Sequence, residues 1–503
     1  MEDDIFDLLE EPNKVMLNLL EIISESHNWY SVSELSIRLS VVERTVQRYI
    51  HQLEDAVAQY NEVKDNYIQI NYEKYNGIQL ETQSGSNYME FKTYLLSNDE
   101  TMQVLKKILF EEFYSVKKYA MTYFVSENSV RKSLKKIKQF LSLYDLSLSR
   151  STFKLEGEEK KIRIITYIIG WVTFKGVTWP FDAIDQLKVY NTVDRFSNIY
   201  KINFSNVHRK QMAYMLAVNL IRFRKNHIIK LEPDWKNYVN IQGLLQTLPL
   251  LADVADEYHI HVESEIYFYV LLLQMKIKVF ESDDLRHRIF SYHEKCQSDI
   301  FNATKLFVDR FHERLIAIPE ELKDRFFLTS FCAHLYCKVF NQLHVDIDGH
   351  QISKETDYDY PTLKENLSYF IQQLYKESGH VLFLEKEFLI QKYLLLFSSI
   401  SPLNYYEPAI RIFLDSDLPF FVKQNIMTKI NDRFKYDFNI QFQKGQVLHQ
   451  SDIILTNIPN TTMEEQRFTY KVHLFDFPIK LRDFIEIERK LRLVALAKTQ
   501  PSS

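Results

Sequence analysis

The chain has 503 residues, 46% of them apolar and 14% aromatic, so it can bury several hydrophobic cores, roughly three to five domains by length. Its net charge of −5 gives no overall sign of nucleic-acid binding. Its three cysteines exclude a disulfide framework, and no apolar run reaches membrane-spanning length, which predicts a cytoplasmic protein without membrane contact. The acidic start is unlike a signal peptide, and we expect it and the tail 499–503 to be disordered.

Residues 31–57 have the pattern of a helix, a tight turn and a second helix. The predicted helix starts are Ser33 and Glu43. The second helix has a continuous apolar stripe, formed by Val46, Ile50, Leu53 and Val57. Its opposite face carries side chains that can reach phosphates and base edges, namely Arg44, Thr45, Gln47, Arg48 and His51. The pattern is typical of a DNA-binding helix-turn-helix, although other helical proteins contain similar helix pairs and residues 40–42 lack the glycine often found in this turn.

A two-stranded hairpin is predicted directly after this helix pair. Residues 66–82 alternate apolar and polar side chains and contain Asn76-Gly77, a strong hairpin signal. A hairpin in this position is a wing, and Lys64 and Lys74 are placed to touch backbone phosphates.

A second stretch, residues 113–138, is densely basic and repeats the helix, turn, helix plan, with Ser126 as the predicted N-cap of its second helix. Its binding candidates are Lys117, Lys118, Asn128, Arg131, Lys132, Lys135, Lys136 and Lys138. The stretch contains a single acid, Glu127, whereas a helix that is merely solvated usually mixes both signs. A local basic face on an otherwise acidic chain is the footprint of nucleic-acid binding.

A second wing is predicted over residues 146–163. The segment alternates and then reaches a turn at residues 156–158, with Lys160, Lys161 and Arg163 beyond it. Residues 88–113 would supply the supporting helices. Two helix-turn-helix units within the first 165 residues imply a long or composite DNA footprint.

The pattern from about residue 170 to 400 is helical and contains a faint internal repeat. The segment that ends at Phe223 and His227 aligns with the one that ends at Phe340 and His344, a shift of 117 residues. Residues 262–265 align with residues 384–387, a shift of 122. Because such a period is far longer than a solenoid unit, it indicates two copies of a helical domain.

Residues 408–497 change to strand, helix, strand order, which predicts a small α/β domain with a parallel sheet. The loop after its first strand, residues 415–418, has neither cysteine nor glycine, so we expect no reactive loop and no phosphate cradle there.

Signatures of enzyme chemistry are missing from the sequence. Nine glycines leave no GxGxxG or Walker pattern, and there is no HExxH, GxSxG or CxxC motif. Cys332, His334 and Cys337 are close in sequence, but their spacing points them to different faces of a helix, so we expect no metal site. We therefore expect no catalytic residues, no cofactor and no enzyme activity.

The whole chain resembles the Mga/AtxA class of transcriptional regulators of Gram-positive bacteria, which are virulence regulators. The resemblance rests on SELSIRLSVVERTVQRYI, SENSVRKSLKKIKQF, and the repeated segments HVESEIYFYVLLL and HVLFLEKEFLIQKYLLL. It implies a mainly α, multidomain fold with two N-terminal winged helix-turn-helix units, two all-helical phosphotransferase regulation (PRD-like) domains and a C-terminal EIIB-like α/β domain. The implied boundaries are 1–85, 86–168, 169–288, 289–404 and 405–503.

The resemblance also implies partners and modification. Members bind double-stranded DNA and act as homodimers or higher oligomers. Some are phosphorylated on histidines of the PRD-like domains, with a phosphocarrier protein of the sugar phosphotransferase system as the partner. The candidates here are His208, His334, His380 and His312, with His208 first. Because the first loop of the EIIB-like domain lacks the phosphorylatable cysteine, it is expected to serve a partner or oligomer role.

Two alternatives remain at the level of sequence. The chain could be a cytosolic interaction or phosphotransfer component in which the helix-turn-helix segments serve only as packing. It could also be an RNA-binding antiterminator, but this would require an RNA-binding β-sheet domain at the N-terminus, where the pattern is helical.

Overall fold

A computed structural model describes residues 2–63, 68–82, 85–241, 262–343, 345, 347, 360–443, 451–458, 470–473 and 478–499. They are mainly helical, with two two-stranded sheets and one four-stranded sheet, so the mainly α fold class is confirmed. The chain divides into two compact units, residues 1–296 with 345–349 and residues 297–344 with 350–503.

The acidic start of the chain is a helix, and the expectation of disorder there was wrong. Helix α1 (Glu2–Leu8) packs on a later helix that ends at Ser142, and α2 (Glu11–Ser24) follows it. Three apolar residues of this start are buried: Ile5, Leu8 and Leu9. The hydroxyl of Tyr144 donates a hydrogen bond to Asp4 Oδ2 at 2.7 Å. The apolar residues among the acids find a partner surface only when the chain is folded.

The first helix pair forms as predicted, with one change at its start. Helix α3 (Val32–Arg38) is capped by Ser31, not Ser33, because Ser31 Oγ accepts a hydrogen bond from the Glu34 N–H at 3.1 Å. Helix α4 (Glu43–Val63) begins at Glu43 as expected. The predicted apolar stripe of α4 is buried throughout: Val46, Ile50, Leu53 and Val57.

The predicted hairpin is also present. Strands β1 (Ile68–Glu73) and β2 (Gly77–Thr82) are antiparallel, and Glu73 faces Gly77 across a three-residue loop, residues 74–76. The main chains of Tyr30 and Ile78 exchange two hydrogen bonds, at 2.8 and 2.9 Å. A Cβ on Gly77, whose φ is +93°, would lie 2.0 Å from the Tyr30 carbonyl oxygen. Glycine at this position therefore lets the hairpin lie against the chain entering α3.

The second helix pair follows two supporting helices. The elements are α5 (Gly85–Asn98), α6 (Glu100–Leu109), α7 (Val116–Tyr123), α8 (Glu127–Ser142), β3 (Ser147–Leu148) and β4 (Leu155–Glu156). Ser126 caps α8 as predicted, its Oγ accepting from the Ser129 N–H at 3.0 Å. The buried Asp99 caps α6 and also accepts hydrogen bonds from the Glu10 N–H and from Asn13 Nδ2, which ties the start of α2 to the supporting helix α6.

The elements described in the rest of the first unit are helices. They are α9 (Glu159–Phe174), α10 (Gln186–Tyr200), α11 (Asn206–Arg224), α12 (Glu263–Gln274) and α13 (Asp283–Lys295), with 3₁₀ helices at Pro233–Asn237 and Ile277–Glu281. Helix α9 is buried at every position from Lys160 to Phe174. A helix buried on all sides is a core helix, and this one carries charged residues into the interior.

The second unit begins with another set of helices. They are α14 (Asp299–Arg314), α15 (Glu320–Val339), α16 (Pro361–Ser378) and α17 (Lys386–Ser398), with 3₁₀ helices at Val381–Leu384 and Leu403–Tyr406. The first pair of repeated sequence segments falls on the long, largely buried helices α11 and α15, and the second pair falls on α12 and α17.

The chain ends in a four-stranded parallel sheet, as the strand, helix, strand order predicts. Its elements are β5 (Ile410–Asp415), α18 (Phe420–Phe434), β6 (Ile440–Phe442), β7 (Ile453–Thr456), β8 (Tyr470–His473) and α19 (Leu481–Thr499). The strand order is β6-β5-β7-β8, and every neighbouring pair is parallel.

Candidate nucleic-acid interface

The two helix pairs share the same turn geometry. Ser40 in the first and Phe124 in the second adopt left-handed backbone conformations, with φ of 52° and 55°. The residue after each donates its N–H to a carbonyl five residues back, Val41 to Ser36 and Val125 to Ala120, both at 3.1 Å. The following helix begins three residues after Ser40 or Phe124 in both cases. The glycine missing from the first turn is thus replaced by a serine in the left-handed conformation.

The face of α4 opposite its buried apolar stripe, called here the free face, carries the side chains that the sequence predicts to contact DNA. Arg44, Gln47, Arg48 and His51 are exposed, and Thr45 is half-buried beside them. His51 Nδ1 lies 2.9 Å from Glu54 Oε2, and its ring meets the Tyr72 ring of β1 edge-on at 5.7 Å. The structure therefore brings the candidate side chains of α4 together on one solvent-facing surface next to the hairpin.

The tip of the hairpin adds an aromatic residue to this surface. Lys74 is exposed, as predicted, and the neighbouring Tyr75 is 93% exposed. The sequence analysis did not include Tyr75 among the binding candidates. Its position at the centre of the predicted loop, next to Asn76-Gly77, could have indicated that it is exposed. Lys64 lies outside the described residues.

The free face of α8 is basic. Asn128, Arg131, Lys135 and Lys138 are all exposed and recur along one side of the helix, opposite the buried stripe. Arg131 forms an ion pair with Glu127 at 3.1 Å. On α7, Lys117 and Lys118 are exposed too, and Lys118 Nζ lies 4.3 Å from the centroid of the Tyr114 ring.

Lys132 and Lys136 are engaged by the N-terminal segment instead. Lys132 Nζ lies 2.7 Å from Glu10 Oε2, and Lys136 Nζ lies 3.2 Å from Glu10 Oε1. Lys136 also donates hydrogen bonds to the main-chain carbonyls of Leu8 and Leu9 at 3.3 and 2.6 Å. Burial would raise the pKa of the Glu10 carboxyl, but the two lysines lower it below its usual value. These two lysines hold α1 and α2 on α8: Lys136 is half-buried there, and Lys132 is exposed but its charge is paired with Glu10.

The second hairpin differs from its predicted form. Its loop is residues 149–154, and the chain passes directly from β4 into α9, so the three basic residues expected beyond the turn lie inside the fold. They are each paired with an acid: Lys160 with Glu232, Lys161 with Asp145 and Arg163 with Glu265. The exposed cations of this loop are Arg150 and Lys154, and the sequence reasoning missed both because it placed the turn at residues 156–158.

The segment that contains the second helix pair matches a known family of domains. Residues 85–168 match the Mga helix-turn-helix domain. This range runs from the start of α5 through β4 into α9.

This match and the relatives below support a regulator of the Mga/AtxA class.

Three relatives place the match in context. The capsule synthesis positive regulator AcpB of Bacillus anthracis is 19% identical over 61% of this chain and 63% of its own length. The anthrax toxin expression trans-acting positive regulator of the same organism is 18% identical over 56% of this chain and 58% of its own length. A putative trans-acting regulator of Streptococcus pneumoniae is 20% identical over 66% of each chain. The chain therefore spans about three fifths of the length of the two Bacillus anthracis regulators.

The four candidate histidines have different surroundings. His208 is half-buried near the start of α11, with Nδ1 2.7 Å from Ser205 Oγ. His312 is exposed on α14, and its Nδ1 accepts a hydrogen bond from the Ile318 N–H at 2.9 Å. His380 is half-buried next to the 3₁₀ helix at 381–384. These three lie within reach of the surface.

His334 lies in the core of the second unit. It is fully buried, with Nδ1 2.8 Å from Thr304 Oγ1 and Nε2 2.7 Å from the Tyr393 hydroxyl. Both ring nitrogens are occupied, and no surface is open to a phosphoryl donor. The structure therefore argues against His334 as a phosphorylation site and gives it a packing role between α14, α15 and α17.

The buried His334 should make the second unit sensitive to acid. Burial, aided by the charge of His380, lowers its pKa to about 3. Below its unfolded value of about 6.5, the unfolded chain binds a proton that the folded chain does not, so stability falls as the pH drops. We expect the free energy of unfolding to fall by about 1.4 kcal/mol per pH unit between about pH 6 and pH 4. Urea unfolding, followed by circular dichroism at several pH values, measures this pH dependence of the free energy of unfolding.

The matched variants for this pH dependence are His334→Gln and His312→Gln. Glutamine keeps a donor and an acceptor at position 334 but does not titrate, so this part of the slope should disappear. The exposed His312 is the control, and its replacement should leave the slope unchanged. An identical slope in the wild type and in His334→Gln would contradict the assignment.

A buried network of charges lies between the second hairpin and the helical block of the first unit. Glu111, in the loop after α6, pairs with Lys154 of the hairpin loop at 3.2 Å, with Arg222 of α11 at 2.8 Å and with His227. Burial would raise the pKa of the Glu111 carboxyl, but the charges of His227, Lys154 and Arg222 lower it. Glu111 thus connects the hairpin to the end of α11.

The network continues into the interior of the first unit. Arg222 Nη2 lies 2.6 Å from Glu159 Oε2, and Glu159 Oε1 lies 3.0 Å from Arg163 Nε. Arg163 in turn makes a two-pronged contact with Glu265 of α12, at 2.5 and 2.9 Å. Each arginine is almost completely buried, so its charge depends on these carboxylates for compensation.

Among the described residues, no three His, Cys, Asp or Glu side chains gather as a metal ion would require. Cys337 Sγ lies 3.6 Å from the Leu382 carbonyl oxygen, whereas His334 bonds to Thr304 and Tyr393, so the two residues face different neighbours. No helix among the described residues combines the length and apolarity needed to cross a membrane.

Proposed function

We propose that this Mga/AtxA-class chain is a sequence-preferring, DNA-binding transcriptional regulator with winged helix-turn-helix units at residues 1–85 and 86–168. The observation that carries the proposal is the repeated geometry of the two turns, each followed by a helix with an exposed polar or basic face and then by a hairpin. In that arrangement the helix enters the major groove and the hairpin contacts the neighbouring backbone. Relatives named for capsule synthesis and anthrax toxin expression support control of virulence-type genes.

The two units differ in what they offer to DNA. The free face of α4 combines Arg44 and Arg48 with the amide of Gln47, groups that can pair with base edges. The free face of α8 offers Arg131, Lys135 and Lys138, a dense positive surface. We assign base selection mainly to the first unit and phosphate contacts mainly to the second.

Base selection by the first unit is tested with Arg44→Ala and Arg48→Ala in the full chain. The test compares affinity for a duplex selected from a random pool with affinity for unselected duplexes, by fluorescence anisotropy over a range of salt concentrations. Each substitution should reduce the preference for the selected duplex by about tenfold, because a lost base contact costs more at the right sequence than at a wrong one.

The matched control is Arg38→Ala. Its guanidinium pairs with Glu25 at 2.7 Å and lies over the Tyr30 ring, away from the free face of α4, so its loss should leave the preference unchanged. An unaltered preference in the Arg44 and Arg48 variants would remove the first unit from base selection. Failure of the wild-type chain to bind any duplex would favour the alternative, a cytosolic interaction or phosphotransfer component.

The remaining chain supports a regulatory role. We assign residues 169–288 and 289–404 to two PRD-like helical domains and residues 405–503 to an EIIB-like domain. The supporting observations are the buried helix pairs at the repeated segments and the parallel sheet flanked by α18 and α19. Following the resemblance, the chain acts as a homodimer or higher oligomer, and a phosphocarrier protein of the sugar phosphotransferase system modifies accessible histidines.

Helix α11 offers a physical route from such a modification to DNA. His208 lies near its start, and Arg222 lies near its end, where it pairs with Glu111. A phosphoryl group on His208 would add nearly two negative charges at the start of α11. A displacement of α11 would then change the ion pairs that join Arg222 to Glu111 and Glu111 to Lys154 in the loop of the second hairpin.

The phosphorylation proposal is tested by incubating the full chain with a radiolabelled, phosphorylated phosphocarrier protein. We expect an acid-labile label that is reduced in His208→Ala and retained in His334→Ala, because His334 is buried between three helices. Equal labelling of the wild type and His208→Ala would move the modification to His312 or His380. No label in any variant would remove phosphorylation by this donor from the proposal.

A further inference from the structure

The turn of the second helix-turn-helix unit holds a large apolar side chain in an unusual setting. Phe124 has a left-handed backbone conformation, with φ of 55° and ψ of 38°, at the end of α7. Its side chain is 94% exposed. A bulky residue in this conformation is less stable than glycine, and an exposed ring gains little from packing to offset the difference.

The backbone of the turn does not require a phenylalanine. The first unit has the same turn, with the same hydrogen bond spacing, and places Ser40 at the equivalent position. A strained and exposed aromatic residue in one turn but not in the other indicates a contact outside the chain.

The surroundings of Phe124 favour DNA as that contact. The only charged residues of α7 are Lys117 and Lys118, both exposed. Met121 and Tyr123 are also exposed beside the turn. The basic helix α8 begins three residues after Phe124, and the first residues of a recognition helix lie against the base edges.

We propose that the Phe124 ring contacts the 5-methyl group of a thymine in the major groove, and so makes the second unit selective at one base pair. The inference rests on the proposed DNA-binding function and adds a specificity-determining residue to it. The thymine methyl is the apolar feature of the major groove, and a phenylalanine ring is among the side chains that can recognise it. The second unit then combines phosphate contacts from Arg131, Lys135 and Lys138 with one apolar base contact.

The test uses the full chain and a duplex that the wild type has selected from a random pool. Thymines of the site are replaced one at a time by deoxyuridine, which lacks the methyl group but pairs in the same way. The wild type should lose about four- to tenfold in affinity at one position, the value expected for one buried methyl contact. Phe124→Ser should show the same loss on the unmodified duplex and no further loss with deoxyuridine at that position.

Three controls separate this contact from other effects. Phe124→Ser should melt at the same temperature as the wild type or higher, since Ser40 occupies the same conformation in the first unit. Affinity for unselected duplexes and the salt dependence should not change, because the ring contacts no phosphate. Leu143→Ser removes another exposed apolar side chain, 65% exposed at the far end of α8, and should behave as the wild type.

The outcomes that overturn the proposal are distinct from failure of the proposed function. Equal affinity of Phe124→Ser and the wild type for the selected duplex would remove the contact, and so would a loss that deoxyuridine does not reproduce at any position. A changed oligomeric state with unchanged DNA affinity would assign the ring to a protein interface instead. Absence of any duplex binding by the wild type would overturn the proposed function itself.

Discussion

Replacement of Lys135 and Lys138 with alanine is expected to weaken binding to every duplex, whatever its sequence. Both side chains are exposed on the free face of α8. Each lost phosphate contact should reduce the slope of log affinity against log salt by about 0.9, so two lost contacts lower affinity on the order of 50-fold at about 0.1 M salt. Fluorescence anisotropy titrations over a range of salt concentrations measure the affinity and the slope together.

The same helix provides the matched control. Lys136→Ala removes one positive charge from α8, but that ammonium group is bonded to Glu10 and to the carbonyls of Leu8 and Leu9. Its loss should leave the salt slope unchanged and loosen α1, which faster hydrogen exchange in residues 2–8 would show. If Lys136→Ala weakened DNA binding as much as the double variant, the division of the α8 lysines into free and engaged groups would be wrong.

Glu265→Ala is expected to cause the largest loss of stability, about 3–5 kcal/mol in the first unit. Arg163 is almost completely buried, and Glu265 binds it through both carboxylate oxygens. Glu265 also accepts a hydrogen bond from the Ile229 N–H at 2.9 Å. Removal of the carboxylate leaves a buried guanidinium with part of its compensation missing, which costs more than the pair itself contributes. Native-state hydrogen exchange of α9 and α12 amides measures the loss locally.

An exposed ion pair of the same unit is the control for this prediction. Asp284 and Arg288 are one helical turn apart on α13, at 2.8 Å, and both are partly exposed. Asp284→Ala should change stability by about 0.5 kcal/mol or less, because exposed pairs of this kind contribute little. Similar losses in the two variants would mean that burial does not govern the strength of the Arg163–Glu265 pair.

Much of the fold could be predicted from the sequence because its signals are local. The apolar stripe of α4, the Ser126 cap and the Asn76-Gly77 hairpin each depend on residues close together in the chain. The strand, helix, strand order of the C-terminal sheet is encoded in the same way. Element starts were less certain, since Ser31 and Ser33 are both good caps and only the backbone geometry distinguishes them.

The candidate interface could be located from the sequence, but its membership could not. Lys132 and Lys135 have the same local pattern on α8, yet Lys132 pairs with Glu10, 122 residues earlier. Lys160 and Lys161 lie in a basic run, a pattern typical of a solvent-facing segment. Because β4 ends at Glu156, however, this run forms the start of the buried helix α9. A local sequence pattern does not indicate which surface of a helix will be covered by a distant segment of the chain.

The sequence by itself determined where the two helix pairs lie, because the periodicity of their apolar residues fixes which face of each helix is buried. The tertiary structure decided which of their basic residues remain exposed, because that depends on contacts between distant segments. It turned the acidic start into a helix that engages Lys132 and Lys136, and it enclosed Arg163 in a buried network. It also showed Phe124 as a strained and exposed ring, since its backbone conformation and exposure exist only in the folded chain.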